Sequence, residues 1–245
     1  MISLVFFLAL ASPPLPDTAS YQATLKQFVT DDGRVRYTDL HNRLAGLTQF
    51  VESLAQVSPD SNPALFPSKQ AKLAYWINAY NALVLHAFAS EYPHNKNRLQ
   101  SKTGQFSFFY RRKFKIGGVE RSLDDIESKS IRPLDNRIHF SIVCASTSCP
   151  WLSNEAFTAE KVNQQLDARA RLFLNQDRNV KFDPAKNTLY LSKIFSWFKN
   201  DFGGKDIATL KFIATYRPED ASRLLKPGLK IQFLEYDWSL NEMLP

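Results

Sequence analysis

The chain has 245 residues, of which 44% are hydrophobic and 22% charged, so its composition is that of an ordinary globular protein and excludes a mainly disordered one. Its length fits one large domain better than two. The net charge of +7 suits an anionic partner, but no segment combines dense Lys and Arg with spaced aromatic residues, so we expect a solvated basic surface and no nucleic-acid partner.

The N-terminus has the pattern of a secretory signal. Residues 2–11 are almost entirely apolar, and Ala9-Leu10-Ala11 is a small-x-small cleavage pattern before Ser12. The run is too short to span a bilayer, so no transmembrane span is expected in the mature chain. We therefore predict a signal peptide over 1–11, a Pro-containing linker over 12–20 and a periplasmic or secreted protein. The alternative is a cytosolic protein with an apolar terminal strand.

Helical spacing of apolar residues predicts the early elements. A short helix is predicted over 17–30 and a second over 40–57. Ser68 suits the N-cap of a helix over 69–90 that is apolar on nearly all sides, as buried helices are. Gly117-Gly118 suits a two-residue turn and predicts a hairpin over 113–122, followed by a short helix over 123–129.

The second half of the chain alternates strands and helices. Apolar and β-branched residues predict a strand over 137–143, and helical spacing predicts a helix over 154–174. The remaining predictions are a hairpin over 180–191, helices over 194–202 and 207–216, and a strand over 230–234. This order favours an α+β fold, with helices around an antiparallel or mixed sheet in a single domain over 21–245.

One segment, His139-Phe-Ser-Ile-Val-Cys144-Ala-Ser-Thr-Ser-Cys149-Pro150, holds both cysteines of the chain. A thiolate nucleophile, an imidazole base and an orienting carboxylate are the parts of thiol catalysis. Cys144 or Cys149 is the candidate thiol, His139 the base and Glu127 the acid, with Asp125 as another carboxylate nearby. Backbone N–H groups from Ser146 to Cys149 would stabilise an oxyanion, and Ser146 and Ser148 are candidate binding residues.

Strand geometry leaves the identity of this site open. In a regular strand His139 and Cys144 are about 16 Å apart and face opposite sides, so they meet only if the chain bends or bulges. His86 is the other candidate base, or else a core residue. The two cysteines are alternatively buried apolar residues or a disulfide pair.

Two asparagines on the buried helix are further candidate binding residues. Asn78 and Asn81 are three residues apart and share a helix face. Because buried amides need partners, they either tie down a neighbouring loop or line a polar pocket. No further cysteine and no histidine cluster accompanies them, so no metal or cofactor is expected.

Four motifs resemble those of the family of proteins of unknown function called DUF547, and the resemblance runs from about Tyr21 to Asn241. These motifs are Trp76-Ile-Asn-Ala-Tyr-Asn-Ala-Leu83, Leu123-Asp-Asp-Ile-Glu127, Arg137 to Pro150 and Leu191-Ser-Lys-Ile-Phe-Ser-Trp197. The resemblance implies a papain-like or transglutaminase-like arrangement with a Cys–His–acid site.

The family positions also rank the candidate residues. They correspond to an acid at Glu127, a base at His139 and a thiol at Cys144 or Cys149, and they favour Cys144. Ser128 stands where the family usually has His directly after the Glu. If that His is the base, this protein is inactive or uses His139 instead.

Three functions follow from these residues. The first is an exported cysteine-dependent hydrolase or acyltransferase that acts on an amide or thioester of a peptide-like or small-molecule substrate. The second is a non-catalytic binding or scaffold domain of the cell envelope that uses the same cleft. The third, a redox role for Cys144 and Cys149, is ranked last because their spacing is wider than Cys-x-x-Cys.

Overall fold

The computed structural model describes residues 14–244 and shows an α+β domain, as the sequence predicts. The predicted signal segment over 1–11 lies outside these residues. The helices are α1 Thr18–Phe28, α2 Tyr37–Asn42, α3 Ala45–Leu54, α4 Lys69–Glu91, α5 Lys102–Phe106, α6 Leu123–Asp125, α7 Val162–Leu174, α8 Ile194–Trp197, α9 Asp206–Tyr216 and α10 Ala221–Leu224. The strands are β1 Phe114–Ile116, β2 Val119–Arg121, β3 Val180–Asp183, β4 Thr188–Leu191 and β5 Lys230–Phe233.

Helix α4 is the centre of the larger hydrophobic core. It begins where predicted, because the Ser68 hydroxyl accepts a hydrogen bond from the N–H of Ala71 at 3.1 Å. From Leu73 onward almost every residue is buried, and the helix packs against α2, α3 and α7. The loops of the candidate site described below are therefore anchored on a helix that is buried on nearly all sides.

Two predicted helices have other boundaries. The helix predicted over 40–57 is divided into α2 and α3, because the backbone at Arg43 leaves the helical region. The helix predicted over 154–174 begins only at Val162, since Asn154 bonds to Asp31 and the N–H of Ala156 bonds to Gln22. Apolar spacing predicts which face is buried, but it does not detect such long-range anchors.

The predicted strand over 137–143 is wrong. Residues Asn136–Phe140 form a 3₁₀-helix whose N-terminus is capped by Asp135, which accepts a bond from the N–H of Arg137 at 2.9 Å. The chain then continues without a strand partner. The C=O of Ser141 and the N–H of Val143 bond instead to the side-chain amide of Asn81, at 2.9 and 3.0 Å. Hydrogen bonds to a side chain thus replace the strand pairing that apolar and β-branched residues predict for this segment.

Both predicted hairpins are confirmed. β1 and β2 pair antiparallel around Gly117-Gly118, whose positive φ angles of 56° and 82° suit the turn. β3 and β4 also pair antiparallel, and β5 joins β4 in parallel to give a mixed three-stranded sheet. A second, smaller core of mainly aromatic side chains, among them Phe140, lies beside this sheet.

The C-terminal segment over 234–242 returns to the first half of the chain. Glu242 bridges to Val35, and the N–H groups of Thr147 and Ser148 donate to the carbonyls of Ser239 and Asp237 at 2.8 and 3.1 Å. This segment therefore holds the loop that carries both cysteines. Between residues 14 and 244 no helix combines the length and apolarity needed to cross a bilayer.

Candidate active site

A cleft of about 810 Å³ opens beside this loop. Its lining includes Glu127, His139, Cys144 and Cys149, the four predicted catalytic side chains. Aromatic, charged, amide and aliphatic residues complete its lining: Tyr80, Gln100, Lys102, Gln105, Phe109, Tyr110, Asp124, Arg132, Ile142, Val143, Pro150, Ile194, Trp197, Phe198, Tyr236 and Trp238. The fold thus brings the predicted groups to one place.

Cys144 lies on the cleft wall, half-buried, at a tight turn of the backbone. The next residue, Ala145, has a φ of 63°, in the left-handed region that non-glycine residues rarely occupy. Beyond this turn the Ser146 hydroxyl lies 2.9 Å from the Cys144 Sγ and the Cys149 Sγ lies 2.8 Å from it. The Tyr236 hydroxyl, at 3.3 Å, completes a ring of donors around the sulfur.

These donors stabilise the charged form of the thiol. Burial alone would raise the pKa of Cys144, but hydrogen bonds from Cys149, Ser146 and Tyr236 outweigh burial and lower this pKa to about 7. The thiolate, which is the nucleophilic form of cysteine, is therefore well populated near neutral pH.

Cys149 has the opposite character. It is only 6% exposed, and its Sγ accepts the backbone N–H of Cys144 at 2.9 Å. Burial and the neighbouring Cys144 charge raise the pKa of Cys149 well above its usual range. Both cysteines are free thiols in this structure, so of the two it is Cys144 that has the environment of a nucleophile.

Glu127 is a carboxyl group that retains its proton to unusually high pH. It follows α6 in a wide helical turn, and its Oε2 accepts a hydrogen bond from the Tyr80 hydroxyl at 3.1 Å. Burial raises the pKa of Glu127 to about 7, against the opposing effects of Tyr80 and Arg132. An acid that titrates near neutral pH is suited to proton transfer.

His139 is oriented by Asp201 and not by the predicted Glu127. Its Nε2 lies 2.7 Å from Oδ2 of Asp201, which also binds Arg132 through two hydrogen bonds of 2.7 and 2.9 Å. The imidazole stacks on Phe198 with ring centroids 4.1 Å apart. Burial lowers the pKa of His139 to about 4, despite the bond to Asp201. His139 is thus a neutral imidazole whose Nε2–H donates to Asp201.

No hydrogen bond joins His139 to either sulfur in the part of the chain that the structure describes. Its Nδ1, the acceptor in this tautomer, likewise has no hydrogen-bond partner there. A direct Cys144–His139 ion pair is therefore not formed in this structure. The role of His139 as the base stays a prediction.

The predicted oxyanion site is wrong for most of its amides. The N–H groups of Thr147, Ser148 and Cys149 already donate to the carbonyls of Ser239, Asp237 and Ser146. The Ser146 hydroxyl lies 2.9 Å from the Cys144 sulfur. The hydroxyl-rich loop thus stabilises the thiol and the fold.

The contacts of Asn78 and Asn81 favour the loop-anchoring interpretation. Asn78 donates to the C=O of Phe157 at 2.8 Å and accepts its N–H at 2.9 Å. Asn81 holds the 141–143 segment in the same way. Neither amide lines the cleft, and their role in ligand binding stays a prediction.

The other polar candidates lie away from the cleft. The Ser148 hydroxyl accepts the N–H of Asp237 at 2.9 Å, so this residue joins the loop to the C-terminal segment. His86 hydrogen-bonds to Thr48 at 3.1 Å on another part of α4, as a satisfied core residue does. Among residues 14–244 no group of three or more His, Cys, Asp or Glu side chains is placed to hold a metal ion.

Three residues that the sequence reasoning missed complete the site: Tyr80, Asp201 and Tyr236. Tyr80 lies inside the Trp76–Leu83 motif, so the motif could have identified it as a residue of the site. Asp201 and Tyr236 are 62 and 92 residues from the groups they contact. No local pattern marks them.

Comparison with known families matches residues 65–174 to the family described as "Protein of unknown function, DUF547". This chain carries a DUF547 segment. The segment includes Tyr80, Glu127, His139 and both cysteines, and thus three of the four motifs. The fourth motif, Leu191–Trp197, lies outside the matched residues, as do Asp201 and Tyr236. No curated protein and no solved structure matches the chain.

Proposed function

We propose that the protein is a cysteine-dependent hydrolase or acyltransferase in which Cys144 is the nucleophile. The observation that supports this proposal is the ring of donors around the Cys144 sulfur on the wall of a large cleft, which lowers the pKa of the thiol to about 7. A buried structural cysteine has no need of such donors. A nucleophilic thiolate does.

Glu127 supplies the proton in this proposal. The Cys144 thiolate attacks the carbonyl carbon of an amide or thioester and forms a tetrahedral intermediate. When the C–N or C–S bond breaks, the leaving group takes the proton of the Glu127 carboxyl group, whose pKa is about 7. Water or an acceptor nucleophile then releases the acyl group from Cys144, and Glu127 takes up the proton that this nucleophile loses.

The Asp201–His139 pair has a supporting role. Since the Nε2–H of His139 is held by Asp201, its Nδ1 is the ring atom that can accept a hydrogen bond from a substrate or water. Ser128, where the family usually has His, donates to the C=O of Asp124 at 2.6 Å. The proposed mechanism uses no base at that position.

The cleft suits a peptide-like or other acyl substrate of moderate size. Trp197, Tyr236 and Trp238 pack together at one side, with ring centroids 4.6 to 5.6 Å apart, and Trp197 is 47% exposed. Such a surface offers apolar contact to a substrate side chain. The apolar N-terminal run supports the further proposal that the protein is exported to the periplasm or secreted.

The experiment is a pre-steady-state assay of the reduced protein with aryl esters and peptide thioesters. We expect a burst of leaving group close to one equivalent per chain, with the acyl group found on Cys144 by peptide mass spectrometry. The burst rate should follow a bell-shaped pH profile centred near 7, since the reaction needs the Cys144 thiolate and protonated Glu127.

Cys144→Ser should abolish the burst. Glu127→Gln has no carboxyl proton to supply, so it should slow the burst and remove the alkaline limb of the profile. Ser148→Ala is the matched control, because its hydroxyl contacts only the C-terminal segment, and it should retain the burst. Absence of acyl transfer to Cys144 from every substrate, in a folded and reduced protein, would count against the enzyme.

A second candidate is a non-catalytic binding domain of the cell envelope. The observation that favours it is that neither sulfur has a histidine partner in the described residues, while the amides of Thr147, Ser148 and Cys149 already donate to carbonyls. This function predicts that Cys144→Ser leaves ligand affinity unchanged. Isothermal titration with a ligand found by screening would measure that affinity.

A further inference from the structure

Cys149 is not a reacting group in the proposed acyl transfer, yet it lies against the nucleophile. The two Sγ atoms are 2.8 Å apart, and the backbone N–H of Cys144 donates to the Cys149 Sγ at 2.9 Å. A disulfide bond is about 2.05 Å long, so the sulfurs need to approach by only about 0.8 Å. Few changes in the fold would be required to join them.

The loop between the sulfurs is fixed from both sides. The left-handed turn at Ala145 reverses the chain, and the N–H of Cys149 donates to the C=O of Ser146 at 3.1 Å. Arg178 donates to the carbonyls of Thr147 and Cys149 at 2.8 and 3.2 Å. The pair is therefore held together by its surroundings before any oxidation occurs.

The two thiols differ in access from the cleft. Cys144 is half-buried on the wall, whereas Cys149 is 6% exposed behind it. Tyr236 and Ser146 provide hydrogen bonds to the Cys144 sulfur. An external reagent in the cleft thus meets an attacking thiolate first, with a second thiol within reach of the same sulfur.

We propose that Cys144 and Cys149 are a redox pair that reduces an external disulfide by thiol–disulfide exchange, with Cys144 attacking and Cys149 resolving. The exchange goes beyond acyl transfer and does not depend on it. One consequence rests on the proposed function: the Cys144–Cys149 disulfide removes the nucleophile and so switches acyl transfer off.

The exchange balances without any further oxidant. The Cys144 thiolate attacks one sulfur of a disulfide R–S–S–R′, a Cys144–S–S–R bond forms, and R′S⁻ leaves. Cys149 gives its proton to R′S⁻ and attacks the Cys144 sulfur, and RS⁻ departs. The two cysteines lose two electrons to become a disulfide, and the external disulfide gains them to become two thiols.

The first step itself prepares the second. In the dithiol, the charge on Cys144 is one of the causes that raise the pKa of Cys149. In the mixed disulfide that charge is absent, so Cys149 ionises more readily at the moment when it must attack. This coupling gives the two cysteines an order of action that their sequence spacing alone does not show.

The test uses the reduced full chain and glutathione disulfide as the probe. Samples are quenched in acid, free thiols are counted by alkylation, and disulfides are assigned by peptide mass spectrometry. We expect the wild type to lose both thiols, gain a Cys144–Cys149 bond and release two glutathione thiols per chain. Cys149→Ser should stop with one glutathione bound at Cys144. Cys144→Ser should leave Cys149 unreacted.

A wild-type protein that accumulates bound glutathione, or that keeps both thiols in excess glutathione disulfide, overturns the redox pair. This readout needs no variant, so it stands if a variant fails to fold. It is also separate from the acyl burst of the reduced protein, and either proposal can fail alone.

If the pair forms, oxidation should abolish any burst and dithiothreitol should restore it fully. A burst that persists in the oxidised protein overturns the switch.

Discussion

The Cys144 loop and the His139 turn line the same cleft, and each carries a titratable group, half-buried at Cys144 and buried at His139, but their surroundings act in opposite directions. Around Cys144 the hydroxyls of Ser146 and Tyr236 and the thiol of Cys149 favour the charged form. Around His139 the aromatic rings exclude water, and the neutral form is favoured despite Asp201. Both pKa values are lowered, but this favours the charged form of Cys144 and the neutral form of His139. Which form is favoured therefore depends on the groups directed at the titrating atom, and not on burial alone.

The largest expected effect concerns the anchor of the Cys144 loop. Asn81→Ala leaves the C=O of Ser141 and the N–H of Val143 without partners, at a cost of roughly 2–5 kcal/mol of unfolding free energy. We also expect the pKa of Cys144 to rise as the loop loosens. Urea unfolding and the pH dependence of iodoacetamide alkylation measure the two effects.

Asn78→Ala is the matched control for that anchor. It removes the same pair of bonds from Phe157, which lies outside the cysteine loop. It should destabilise the protein comparably and leave the alkylation midpoint unchanged. Equal shifts of the midpoint in both variants would show that Asn81 has no specific effect on the thiol.

A second prediction separates the His139 turn from Glu127 through the pH dependence of stability. The folded pKa of His139 is about 4, so its contribution to stability is present above pH 6.5 and is lost as the pH falls through 4. The folded pKa of Glu127 is about 7, so its contribution is present below pH 4.5 and is lost as the pH rises through 7. The two trends oppose each other between pH 4.5 and 6.5.

Glu127→Gln removes one of these trends. The stability of this variant, relative to wild type, should then rise between pH 4.5 and 6.5, with a change on the order of 2–3 kcal/mol. Chemical unfolding across this range provides the measurement. If the difference in unfolding free energy between wild type and variant stays constant with pH, Glu127 titrates as an ordinary surface carboxylate.

A third prediction tests the donors around Cys144. Tyr236→Phe removes one hydrogen bond to the thiolate and should raise the pKa of Cys144 by about 1 unit, since hydrogen bonds to charged groups contribute roughly 1.5–3 kcal/mol before partial compensation. The midpoint of the alkylation profile reports this shift. An unchanged midpoint would show that Tyr236 has no effect on the Cys144 thiol.

The smallest expected effect distinguishes two serines of one loop. Ser146→Ala should raise the pKa of Cys144, because its hydroxyl lies 2.9 Å from the sulfur. Ser148→Ala should cost only about 1 kcal/mol of stability, through the lost bond to Asp237, and leave that pKa unaltered. Alkylation profiles and thermal unfolding of the two variants, taken side by side, decide between these roles.

The sequence was most informative where contacts are local. Ser68 as a cap, the buried helix α4 and the turn at Gly117-Gly118 depend on residues a few positions apart, and all three are confirmed. The residue types at Glu127, His139, Cys144 and Cys149 also marked the cleft.

The remaining features depend on distant partners. Apolar and β-branched residues over 137–143 fit a strand as well as the 3₁₀-helix Asn136–Phe140 and the segment after it, which bonds to the side chain of Asn81. The orienting residue Asp201 and the donor Tyr236 reach the site only through the folding of the second half of the chain. No spacing rule connects them to the motifs.

The C-terminal segment packs on the cysteine loop, so the family segment alone does not contain every residue of the candidate site. The recognisable family segment stops at residue 174, whereas Tyr236 and Asp201, which set the chemistry of its thiol and its imidazole, follow later. A fragment cut at the family boundary would keep Cys144 and His139 and lose Tyr236 and Asp201, which hydrogen-bond to them. Any measurement of the reactivity of Cys144 therefore needs the chain at least as far as Tyr236, and not the family segment alone.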